Sequence, residues 1–196
     1  MENNKQNRTA RSASVRRLTG LAMLTAIVVV LQLLGSFIKL GPVSVSLVLV
    51  PIAVAAALYG PGAGAFMGGV FSVVVLLQPD TAFFYNMSMY GTIVTVLCKG
   101  VLAGLLSGLL YRALEKENSL VAVILAALVC PLVNTGLFLL GCRIFFWDGL
   151  TQLAGGANTF VYIITTMIGF NFLAELGVNL VCVPAIQQIV KAVSKK

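Results

Sequence analysis

A lysine, an acid and several asparagines stand inside stretches that are otherwise oil-like. Lys99 interrupts the apolar run 89–113, and Asn134 lies midway along the run 119–146, shortly after Pro131. Asn171, Glu175 and Asn179 recur every fourth residue within 158–190, which places all three on one face of a helix. Ionisable groups in apolar spans are costly, so each needs a partner or a ligand. Lys99 comes about ten residues after the start of its run, roughly 15 Å along a helix. Counted from the same side, Asn134 and Asn171 fall at a similar depth. Three helices would then bring Lys99, Asn134, Asn171 and Glu175 around one polar cavity.

The chemistry this set offers is binding. An amine attracts an anionic group, and amides donate and accept hydrogen bonds. The acid can pair with the amine or with a ligand. A Lys99–Glu175 ion pair bridged by amides is the structural alternative, and the two are compatible, because a ligand can exchange with an internal pair. Arg143 lies one turn before Trp147. It either snorkels to lipid headgroups or guards the mouth of the cavity and attracts a carboxylate. Gln32 and Gln78 either line the cavity or hydrogen-bond between helices. Phe83, Phe84, Tyr85, Tyr90, Phe160 and Tyr162 read as an interfacial belt, with ligand stacking as the second reading.

No catalytic constellation is found. Histidine, the commonest general base and metal ligand, is absent. There is no Gly-x-x-x-x-Gly-Lys-Ser/Thr, no His-Glu-x-x-His and no Gly-x-Ser-x-Gly. Cys98, Cys130, Cys142 and Cys182 all lie in apolar stretches without a Cys-x-x-Cys pair, so they read as packing residues. The expectation is a protein that is not an enzyme and has no cofactor and no metal.

The elements that must hold these residues are membrane helices. The chain is 59% hydrophobic and 10% charged, more apolar surface than a soluble domain of this size can bury. Continuous apolar runs exclude a barrel, whose strands alternate. The fold class is therefore all-α integral membrane, a six-helix bundle with both termini cytoplasmic. The spans are read as about 17–38, 46–59, 63–78, 89–113, 119–146 and 158–190. The second and third are short for a crossing and need tilt or burial. Residues 79–88 and 148–157 read as outer loops. Residues 1–15 read as a disordered basic arm, 16–191 as the membrane domain and 192–196 as a basic tail.

Ten of the 13 basic residues fall on the inner side in this arrangement, the exceptions being Lys39, Lys99 and Arg143. That follows the positive-inside rule, so the net charge of +7 reports topology and lipid contact, not nucleic acid. Ala22 and Ala26 stack on one face of the first span and leave a shallow groove for another helix.

Four motifs occur in order: Ala22-Met-Leu-Thr-Ala26, Leu40-Gly-Pro-Val-Ser-Val-Ser-Leu, Pro51-Ile and Leu58-Tyr-Gly-Pro-Gly-Ala-Gly-Ala-Phe-Met-Gly-Gly69. Through them the stretch 16–190 resembles the substrate-binding (S) components of energy-coupling factor (ECF) vitamin transporters. Where some relatives carry an acid in the third helix, this chain has Phe71-Ser72. The resemblance implies capture of a vitamin or precursor at the outer side of a bacterial plasma membrane. It also implies docking on a transmembrane coupling subunit driven by two ATPases. On that analogy Ala22 and Ala26 meet the coupling helices, and the 39–46 loop, with Lys39, Gly41 and Pro42, is a gate. Lys99 and Arg143 outnumber Glu175, which favours an anionic ligand such as pantothenate or a folate. Riboflavin fits the outer aromatics. The alternative expectation is a stand-alone secondary transporter for a small organic solute.

Overall fold

A computed structural model of the chain describes residues 2–35, 37 and 48–194, with side chains from Ser14 to Ala192. The gate-loop residues Lys39, Gly41 and Pro42 lie outside the described residues. Among the described residues the secondary structure is helical throughout. The helices are α1 (Glu2–Gly35), α2 (Leu49–Tyr59), α3 (Pro61–Leu76), α4 (Ala82–Tyr85), α5 (Met89–Leu114), α6 (Ser119–Phe145), α7 (Trp147–Leu153), α8 (Thr159–Tyr162) and α9 (Gly169–Ser194). A 3-10 turn, Pro79–Thr81, precedes α4, and a π-helical segment, Ile163–Ile168, joins α8 to α9.

Several boundaries follow from local chemistry. Ser88 accepts a hydrogen bond from the Gly91 N–H and starts α5, and Asn118 accepts from Leu120 and Val121 at the start of α6. Between α2 and α3 the chain reverses at Gly60, whose φ of +91° suits glycine. Pro61 follows at the first position of α3, where a missing N–H costs nothing.

Four helices are long and apolar enough to cross a bilayer: Ser14–Gly35, Met89–Leu114, Ser119–Phe145 and Thr159–Ala192. They match the first, fourth, fifth and sixth spans read from the sequence. The other two spans are shorter elements. α3 has 16 residues and would make a fifth crossing if joined to the Pro79–Tyr85 segment, which bends away from it by 75°. α2 has 11 residues, about 16 Å of helix against a hydrocarbon core of about 30 Å. One stretch also differs from the expected loops: residues 148–157 are largely helical as α7. The helical backbone of α1 begins at Glu2.

α2 is the hub. It packs against α1, α3, α5, α6 and α9, and Leu49 and Pro51–Ala56 are all buried. A helix apolar all round has to be enclosed in this way. Beside it α3 and α5 meet backbone to backbone. A Cβ on Gly68 would land on the Gly100 carbonyl, and one on Gly104 would land on the Gly64 carbonyl. Ser72 Oγ closes the same seam, donating to the Val96 carbonyl at 2.7 Å. α5 is held to α6 by Ser107, which donates to the Ala126 carbonyl at 2.9 Å.

The bundle has two unlike ends. At the basic end Arg17 and Arg112 flank the α2–α3 turn. At the aromatic end Phe84 packs on Phe138 and Phe146 with centroids 5.4 and 5.3 Å apart.

Candidate binding site in the polar layer

Two apolar clusters bracket the polar residues. The central one contains Val28, Leu49, Phe71 and Cys130. The one toward the aromatic end contains Phe84, Phe138, Cys142, Phe146, Ile163 and Met167. Lys99 joins them. Its Nζ lies 5.9 Å from the Phe71 ring centroid and 5.2 Å from that of Phe138, one ring from each cluster. Both are within cation–π range. Glu175 and Cys142 lie within electrostatic reach of Lys99, and Glu175 also acts on Cys130. The amine of α5 and the acid of α9 are thus brought to one region.

Helix faces supply the rest. Cys130, Asn134, Phe138 and Cys142 are four apart along α6, and all are buried. Asn134 stands one turn from Cys130 of the central cluster and one turn from Phe138 of the other. On α9 Asn171, Glu175 and Asn179 are 5%, 6% and 1% exposed. Asn171 Nδ2 donates to the Met167 carbonyl at 3.3 Å, and Asn179 Nδ2 donates to the Glu175 carbonyl at 2.8 Å.

A fourth wall comes from α1. Gln32 is 1% exposed and sits one turn beyond Val28. Gln78 Nε2 donates to the backbone carbonyl of Gln32 at 3.0 Å, and Gln32 Nε2 donates to Gln78 Oε1 at 2.9 Å. This clasp fixes both amides. A carbonyl can only accept, so the NH2 end of Gln78 must face it. The oxygen of Gln78 must then face the NH2 of Gln32. Among the described residues Gln32 Oε1 is left as a buried acceptor without a donor, and so are Asn134 Oδ1 and Asn179 Oδ1. An unmet buried polar atom costs about 1–3 kcal/mol, so each of these oxygens is complementary to an N–H or O–H group.

Other expected residues stand apart. Arg143 is exposed, and its guanidinium carbon lies 4.7 Å above the Trp147 ring. It follows buried Cys142 by one residue, about 100° round the helix, so it leaves the face that holds Asn134. Ala22 and Ala26 are both exposed on α1, away from the side that buries Val28 and Gln32. The rings of Phe71 and Phe138 were not among the expected site residues. Phe138 was within reach of sequence reasoning, since it lies four residues after Asn134.

Taken together these features define an all-helical membrane protein with a cation, an acid and unmet amide acceptors in a layer between apolar clusters. The family model for the substrate-specific component of ECF transporters matches residues 16–187, and the chain belongs to that family. The family is one of transporter substrate-binding subunits, not of enzymes. No curated protein and no solved structure matches the chain.

Proposed function

We propose that this chain is the substrate-capture subunit of an ECF-type importer in a bacterial plasma membrane. It takes up a vitamin or vitamin precursor, with an anionic one such as pantothenate or a folate preferred and riboflavin second. Lys99, Asn134, Asn171 and Glu175 form the binding layer, and Arg143 attracts anions at its mouth. The observation that supports the reading is Lys99 lying between two aromatic rings and within electrostatic reach of Glu175.

In this reading the bundle forms six membrane segments, with α2 as a half-length one. The basic end, with residues 1–15 and 192–196, is cytoplasmic, because Arg16, Arg17, Arg112, Lys116 and Lys191 gather there. Ala22 and Ala26 dock on the transmembrane coupling subunit, which two ATPases drive, and the Lys39, Gly41 and Pro42 loop gates the outer side. Small residues four apart let a partner helix approach closely.

The test is to purify the full chain in detergent and identify released small molecules by mass spectrometry. Uptake is then measured in liposomes with and without the coupling subunit and ATPases. A bound organic solute, and uptake that needs ATP and the coupling module, support the proposal. Uptake by the chain alone would make it a stand-alone transporter.

A further inference from the structure

At the basic end, arginines from two different helices converge on one peptide unit. Arg17 of α1 donates through Nη2 to the Tyr59 backbone carbonyl at 2.9 Å. Arg112 of α5 packs its guanidinium against the next residue, so closely that a Cβ on Gly60 would strike it. Two like charges are thereby held about one turn. The C-terminal end of α2 offsets them with about half a negative charge, which leaves more than one positive charge over.

The acids near by do not fill the gap. Glu115 and Glu117 lie on the α5–α6 turn, and among the described residues neither forms an ion pair with Arg112. Arg112 makes no hydrogen bond among the described residues either, so its planar fork of donors stays available. Such a fork matches the paired oxygens of a phosphate.

Beside the turn lies a stripe shaped for a hydrocarbon chain. Residue 62 opens on free space, with nothing within 4 Å of a Cβ built there. From it the outward side of α3 continues through exposed Phe66, half-buried Gly69, exposed Val73 and exposed Leu77. α3 packs against both α1 and α5, the helices that bring the two arginines. A charged headgroup site at one end and an apolar stripe running from it toward the other match the outline of a phospholipid.

We propose that Arg17, Arg112 and the Tyr59–Gly60 turn bind the phosphate of an anionic phospholipid whose acyl chain lies along Phe66, Val73 and Leu77. This is a site separate from the polar layer, and it does not depend on which solute the protein captures. Its ligand is a phosphodiester lipid with a net negative charge; a zwitterionic lipid has the same phosphate, but its ammonium cancels the charge and is repelled by the two arginines.

Native mass spectrometry of the full chain in detergent tests this by titration with dioleoylphosphatidylglycerol or dioleoylphosphatidylcholine. The phosphatidylglycerol should bind about tenfold more tightly, the scale of one charge-assisted hydrogen bond. Arg112→Gln should remove most of that preference, and Arg112→Lys, which keeps the charge but not the fork, should restore only part. Lys116→Gln and Lys191→Gln remove the same charge elsewhere and should change binding less than about twofold. Arg17→Gln also loses its hydrogen bond to Tyr59, so its unfolding temperature is read in parallel, and Arg112 carries the test if Arg17→Gln unfolds.

Equal binding of the two lipids would overturn the proposal, as would control lysines that matter as much as Arg112. Displacement of phosphatidylglycerol by soluble glycerol phosphate at similar concentration would show a small-anion site without a lipid tail, and would overturn it too. Unchanged lipid binding in Arg112→Gln, together with lost co-purification of the coupling subunit, would assign the arginines to a protein contact instead.

Discussion

Replacing Lys99 by methionine keeps the length of the side chain and removes only its charge and donors. In the protein the ammonium is held by two rings, at 5.2 Å and 5.9 Å, each contact contributing about 2 kcal/mol when desolvated. A ligand carboxylate would add a charge-assisted hydrogen bond of about 1.5–3 kcal/mol. Loss of that bond weakens a carboxylate ligand about 10- to 150-fold. Glu175 shapes the result, since it lies in the field of the same amine. A carboxylate ligand must share Lys99 with it. Glu175→Gln should therefore act in the opposite sense and tighten a carboxylate ligand by about fivefold, on the order of 1 kcal/mol at an effective dielectric near 20. The assay is equilibrium dialysis with radiolabelled pantothenate on the purified chain, with riboflavin as the uncharged comparator and thermal unfolding measured separately. Riboflavin affinity should respond to neither substitution by more than about threefold. Unchanged carboxylate affinity in Lys99→Met, or a shift in the same direction for both variants, would refute the reasoning and leave Lys99–Glu175 as an internal pair.

Three further outcomes follow from other parts of the bundle. Gly68→Ala drives a methyl group into the Gly100 carbonyl, so it should destabilise the purified protein by about 1–3 kcal/mol; Gly62→Ala, which meets open space, should change thermal unfolding little. Ala26→Trp, alone or with Ala22→Trp, should abolish uptake with the coupling module and leave solute binding by the isolated chain intact. Loss of binding would count against a docking role. Gln32→Met removes both the clasp and the leftover acceptor, whereas Gln78→Met removes only the clasp. Solute affinity should fall about tenfold in the first and less in the second, and equal losses would show that the pair only ties α1 to the segment that follows α3.

The approach of Glu175 to within electrostatic reach of Lys99 could be anticipated from two simple counts. Residues four apart share a helix face, and rise per residue converts position into depth. Contacts set by angle between helices were not legible in this way. Arg143 resembles Lys99 in residue type and lies at the far end of a neighbouring helix. One step past buried Cys142 is enough to turn it onto Trp147. The central role of α2 was hidden for a different reason. A helix apolar on every side has no preferred face to read, so its short length suggested tilt or burial without showing that five helices enclose it. The glycine seam needed pairing information as well. Gly64 and Gly68 announce close packing, but only the register of α3 against α5 says that Gly100 and Gly104 are opposite. The Gln32–Gln78 clasp spans 46 residues, and neither residue alone distinguishes a lining role from a tie between helices. In the structure it is a tie that leaves one buried acceptor over.

These contacts also make the walls of the layer unequal. α3 and α5 meet through bare backbone, and α5 is pinned again to α6 through Ser107. Side-chain rotation cannot loosen the glycine contacts of this seam, and Ser72 adds a hydrogen bond across it. α1 is held differently. Its apolar stretch is the least embedded of the four long spans, with 17% of it buried against 39% for α5. Its described polar ties include Arg17 to the Tyr59 carbonyl, Thr25 to the Met67 sulfur at 3.3 Å, and the Gln32–Gln78 clasp. Elements with little buried apolar surface are the ones that open at low free energy. The same helix turns Gln32 toward the layer and Ala22 and Ala26 away from it. A force applied at the alanine face would therefore reach the layer through the wall that resists it least, while Lys99 stays fixed on the wall that resists it most.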